Sequence, residues 1–99
     1  MDFITENDRI YATDASGKLI AEVTFPTRNG VATIDHTFVD PSLRGQGIAG
    51  QLVKLAADKI INDGNKIVAA CPYAVEWFKQ HPEYSIDKTA PAACKINLH

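Results

Sequence analysis

Cysteine is scarce: two in 99 residues, Cys71 and Cys94, with one methionine and one tryptophan. Two cysteines are too few for a disulfide scaffold, so both are expected as free thiols in a cytoplasmic protein. No apolar run approaches the ~20 residues that cross a bilayer, and no charged-then-apolar leader opens the chain. A membrane partner is therefore not expected. Basic excess is also missing: 10 Lys+Arg stand against 12 Asp+Glu, a formal net charge of -2, which argues against nucleic-acid binding. His36, His81 and His99 are scattered without the short spacing of zinc ligands, so no metal is expected. Internal repeats and low-complexity tracts are absent. Ninety-nine residues leave room for one domain, which excludes a two-domain dehydrogenase, a protein kinase or a full doubly wound sheet.

What is present is ordinary for a folded domain: 45% hydrophobic and 22% charged residues. Arg9–Thr13 reads as a short strand ended by the turn formers Asp14-Ala-Ser-Gly17. From Lys18 to Phe25 the residues alternate, with Leu19, Ala21, Val23 and Phe25 on one side, until Pro26 ends the ladder. Asn29-Gly30 signals a hairpin, and Val31 to Val39 is expected as one further strand, completing an antiparallel meander. After Pro41 the period becomes helical: Ile48, Leu52, Leu55, Ala56, Lys59 and Ile60 form a stripe that Val53 and Ile61 widen. Gly64 stops that helix, Lys66–Cys71 is a strand covered on both faces, and Pro72 opens a second helix that His81-Pro82-Glu-Tyr84 closes. The expected fold is α+β, in the order β-β-β-α-β-α. An antiparallel meander leads into a parallel βαβ unit. A single domain over 1–99 is expected, with its core at about 9–87 and residues 88–99 as a tail.

Gly45-Gln-Gly47-Ile-Ala-Gly50 matches the dinucleotide fingerprint G-x-G-x-x-G, but its context does not. Asp40-Pro-Ser-Leu-Arg44 separates the strand from the first glycine, and no acidic residue stands in Lys66–Cys71 to hold a ribose. No Gly-Lys-[Ser/Thr] makes a Walker loop either. The physical content survives. Gly45 and Gly47 allow close backbone approach, the helix from about Gly47 aims N–H groups and a positive dipole end, and Arg44 adds a fork of donors. Together they form a pyrophosphate cradle, against the alternative of a glycine-rich turn entering a helix.

Arg44-x-x-Gly47-x-Ala49, after a strand and an Asp-Pro, resembles the acetyl-CoA signature Q/R-x-x-G-x-G/A of the GNAT acetyltransferase superfamily. Asp35-His-Thr37, the Arg44–Ala49 loop, Cys71-Pro-Tyr73 and His81-Pro-Glu-Tyr84, in that order, are similar to the small YjdJ-type N-acetyltransferase domains. The likeness spans roughly Arg9 to Asp87 and leaves out the tail with Cys94.

The resemblance implies a GNAT-like sheet with two splayed strands, acetyl-CoA or coenzyme A as cosubstrate, and transfer of an acetyl group to a primary amine of a small molecule or protein. The alternative is a CoA- or acyl-CoA-binding module without turnover. Cofactor contacts fall by analogy on Phe38, Val39, Arg44, Gly45, Gln46, Gly47, Ile48, Ala49 and Gly50. Thr37 to Val39 would pair with the pantetheine arm opposite Val68 to Cys71, and a backbone N–H near Phe38 or Val39 would hold the thioester carbonyl. His36 is the candidate base by its intrinsic pKa, with Asp35 and Glu22 as runners-up. Its alternation partners Ala32, Ile34 and Phe38 put it on an apolar face, where a structural histidine is the competing reading. Cys71 is either an acyl carrier, a neighbour of the CoA sulfur, or a small buried hydrophobe. Tyr73 and Tyr84 are candidate general acids; Trp77 and Phe78 are expected in the core. The acceptor amine is unidentified, and a monomer or weak homodimer is expected.

Overall fold

In the computed structural model, which describes residues 2–84, seven strands and two helices follow one another along the chain. They are β1 (Ile4–Thr5), β2 (Arg9–Thr13), β3 (Leu19–Thr24), β4 (Thr27–Arg28), β5 (Val31–Ile34), β6 (His36–Val39), α1 (Ile48–Asn62), β7 (Lys66–Ala69) and α2 (Pro72–Lys79). A 3-10 turn at Pro41–Leu43 precedes α1. The expected tail, 88–99, lies outside the described residues. No helix among the described residues is long and apolar enough to cross a membrane.

One sheet runs β1-β2-β3-β6, all antiparallel, and the other runs β4-β5-β7 with β5 and β7 parallel. The mixed α+β architecture is the expected one. Alternation in β3 holds: Ala21, Val23 and Phe25 are buried, while Glu22 and Thr24 lie on the other face. The Asn29-Gly30 turn has positive φ at both residues (53° and 78°) and joins β4 to β5.

The expectation of one strand from Val31 to Val39 is corrected. The chain breaks at Asp35, whose N–H donates to the Thr24 carbonyl and whose carboxylate accepts from the Thr24 hydroxyl at 2.6 Å. β5 goes to one sheet and β6 to the other. An extra residue in one strand of a ladder bends it and turns the following side chains over, as a bulge does.

Helix α1 covers both sheets and is held by burial of Ile48, Leu52, Val53, Ala56, Ala57 and Ile60. Ile61 does not widen this stripe; it is 50% exposed. The helix ends in paired bonds, Gly64 N–H to Ile61 O and Asn65 N–H to Ile60 O, the pattern of a Schellman stop. Trp77 and Phe78 pack α2 into the core as expected. His81 then stacks on Trp77 at 3.8 Å, with Nδ1 2.7 Å from the Trp77 carbonyl, and so closes α2.

Candidate functional site

A gap opens where the bent strand leaves β7. The Ile34 carbonyl accepts from both Ala70 N–H (2.9 Å) and Cys71 N–H (3.0 Å), and this is where parallel pairing ends. Beyond it β6 pairs only β3 among the described residues. Asp40 N–H donates to Ile20 O at 2.8 Å, one position past the Ala21–Val39 pair. Bonded and non-bonded pairs alternate in an antiparallel ladder, so Phe38 is bonded to Glu22, whereas Thr37 and Val39 direct their N–H groups into the gap. Of the two donors expected from the sequence, the Val39 N–H faces the gap and the Phe38 N–H is used by the sheet.

The loop beyond β6 is shaped by Asp40. Its carboxylate accepts from the Ser42 hydroxyl (2.5 Å) and Ser42 N–H (3.1 Å), and Lys18 Nζ lies 3.5 Å away. The Ser42 hydroxyl first, then the backbone bond and Lys18, hold this carboxyl below its ordinary value. Arg44 follows, exposed and without an ion-pair partner among the described residues. Gly45 (φ 86°) and Gly47 (φ 74°) are left-handed, a conformation that costs other residues about 1–2 kcal/mol. Gly47 caps α1 with no side-chain bond, so the first N–H groups of the helix at Ile48, Ala49 and Gly50 lack intrahelical partners.

Loop, helix and gap share one cleft of about 390 Å³. Thr37 and Val39 line it from β6; Arg44, Gly45 and Gly47 from the loop; Ile48 and Ala49 from α1. Two residues not assigned as contacts from the sequence join them, Leu43 and Tyr73. Leu43 had a signal, being the one large apolar side chain in a polar turn. Tyr73, half-exposed beside Pro72, reaches the cleft only because α2 folds back onto α1. Gln46 and Gly50 do not line the cleft. A Cβ on Gly50 would stand 3.2 Å from Tyr73 Oη and 3.3 Å from Trp77 Nε1, so this glycine serves helix packing.

Cys71 caps α2, half-buried, with Sγ 3.7 Å from Thr37 Oγ1 across the gap. His36 departs from its expected apolar face. The break at Asp35 ends the alternation of buried Ala32 and Ile34, and His36 projects from the opposite face of β6 with its side chain 55% exposed. There Nε2 lies 3.7 Å from Glu22 Oε1, while the other Glu22 oxygen is bonded to Arg9 Nε. Arg9 in turn lies 3.8 Å over the Tyr11 ring. His36 therefore projects from the face of β6 opposite to Thr37, the residue that Cys71 meets. Tyr84 is not at the cleft: its hydroxyl donates to Asp58 Oδ1 at 2.8 Å on α1, beside Lys54. The Asp58 bond, then burial, raises the Tyr84 pKa, which suits a structural clasp.

A family model described as GCN5-related N-acetyl-transferase matches residues 9–87. The chain belongs to the GCN5-related N-acetyltransferase family. Solved structures agree with this membership. A GCN5-like protein of Staphylococcus aureus is 27% identical, with a TM-score of 0.68 over 84% of this chain and 82% of that one. A GNAT family N-acetyltransferase of Escherichia coli, solved in complex with CoA, is 29% identical with a TM-score of 0.54 over 62% of this chain and 38% of that one. An acetyltransferase of Bacillus cereus is 25% identical with a TM-score of 0.61, covering 74% and 54%. The GNAT chain thus spans most of the Staphylococcus relative but about half or less of the other two. No curated protein sequence matches it.

Proposed function

We propose that this family member is an acetyl-CoA-dependent N-acetyltransferase acting on a primary amine. The observation that carries this reading is the continuity of the cleft, from the uncapped start of α1 to the edge of β6 that faces away from β3. Its volume falls in the range of small-molecule sites, roughly 300–1,000 Å³. Similarity to the E. coli protein solved with CoA supports the ligand class.

Each part of the cleft fits a part of that ligand. The free N–H groups at Ile48 and Ala49 and the Arg44 guanidinium suit a pyrophosphate. The inward N–H groups of Thr37 and Val39 suit amide and thioester carbonyls, and the one that meets the reacting carbonyl stabilises its developing negative charge. An amine attacks only as the free base, because the ammonium form has no lone pair. His36 takes the amine proton on the open face, oriented by Glu22, which Arg9 holds in place. The C–N bond forms, the C–S bond breaks, and the released sulfur gains a proton to give CoA. Cys71 flanks that sulfur from the far side of the gap.

Calorimetry with acetyl-CoA followed by thiol release over an amine panel tests the reading. Binding is expected, with release above background hydrolysis for at least one primary amine. Binding without release would leave a CoA-binding module; no heat at millimolar ligand would remove both.

A further inference from the structure

The gap between β6 and the end of β7 is narrow at its inner end. There the Ile34 carbonyl already holds both Ala70 N–H and Cys71 N–H, which leaves no opening between the backbones. One step outward, the side chains of Thr37 and Cys71 meet at 3.7 Å. Thr37 has little freedom to swing aside, and the backbone that carries Cys71 has little freedom to shift. Thr37 is β-branched on a strand, with few rotamers, and Cys71 is held extended (φ -71°, ψ 130°) ahead of Pro72. Thr37 also lines the cleft, and its N–H points into the same gap.

We propose that the Thr37–Cys71 contact is a steric gate that sets the acyl length this site accepts, admitting acetyl and refusing longer straight chains. The inference rests on the CoA reading above. A thioester carbonyl held at the Thr37 N–H has its acyl carbon beside this pair. A methyl group fits beside the contact, whereas the added methylenes of butyryl must displace one of the two side chains. Displacement is costly because Thr37 has few rotamers and the backbone ahead of Pro72 keeps Cys71 opposite it, so the selectivity belongs to their volume and not to the hydrogen bond between them.

Dissociation constants for free CoA, acetyl-CoA and butyryl-CoA, measured calorimetrically, test this without requiring turnover. The wild-type protein is expected to bind butyryl-CoA about tenfold or more weakly than acetyl-CoA, the scale that a methylene or two commands in a tight pocket. Cys71→Gly and Thr37→Ala should each shrink that ratio, whatever either does to the affinity for free CoA; Cys71→Ala, which keeps a Cβ, should shrink it less. Thr37→Val keeps the volume and loses the hydroxyl, so it should keep the wild-type ratio. Unchanged ratios in Cys71→Gly and Thr37→Ala variants that still bind CoA would overturn the gate, as would relaxation in Thr37→Val. Failure of the wild-type protein to bind free CoA is a separate result, and overturns the CoA reading and the gate together.

Discussion

The two halves of the bent strand, β5 and β6, are each four residues long and differ in what lies along their edges. β5 has partners on both sides, β4 and β7, and its Ala32 and Ile34 are fully buried. Among the described residues β6 has one partner, β3, and none of its four residues is buried. A strand bonded on both edges has its backbone groups satisfied and contributes stability. A strand bonded on one edge keeps N–H groups available, and a cleft can form against it. One residue, Asp35, separates the two behaviours.

The largest expected effect tests that division in the core. Ile34→Ala should cost about 2–5 kcal/mol in urea unfolding, the usual range for emptying a fully buried aliphatic site. Val39→Ala, on the open half, should cost only about 1 kcal/mol, since less apolar area is buried there. Equal losses would show that both halves are packed alike and break the comparison.

A second test moves to the loop that the open half leads into. Gly47→Val and Gly64→Val each force a β-branched side chain into positive φ, at roughly 1–2 kcal/mol of stability. Only Gly47 lines the cleft, so CoA affinity is expected to collapse in Gly47→Val and to persist in Gly64→Val. Loss of affinity in both would mean that strain, and not the cradle, explains the result.

The smallest effect is a titration. Asp40 is depressed below the ordinary carboxyl value of 3.8, so its support of the turn is present above that pH and is lost as pH falls through the lower folded value. The Ser42 amide resonance should follow a midpoint below 3.8. A midpoint at or above that value would show that the Asp40 cap does not hold the loop in solution.

The amphipathic stripe of α1, the covered strand at Lys66–Ala69 and the proline opening α2 were legible because each depends on local period or on proline geometry. The glycine loop was legible for the same reason, and Arg44, Gly45 and Gly47 do come together at the cleft. Strict alternation failed at His36. A period-2 reading assumes an unbroken ladder, and nothing in Thr33-Ile-Asp-His36 marks the residue that leaves it. Tyr84 misled in another way: a tyrosine at the end of a motif suggests chemistry, but folding places its hydroxyl on Asp58 of α1.

Two kinds of information therefore lie behind the site. The amino-acid order set the glycine turn ahead of α1 with Arg44 beside it, because positive φ, a helix start and a cationic side chain are properties of neighbouring residues. It also set the family, through motifs spread from residue 9 to residue 87. Which N–H groups face the gap, which face His36 occupies, and whether Cys71 meets Thr37 depend on long-range pairing. Those outcomes follow from the turn of one strand at Asp35 between two sheets, a choice made by partners as distant in the chain as Thr24 and Ala70.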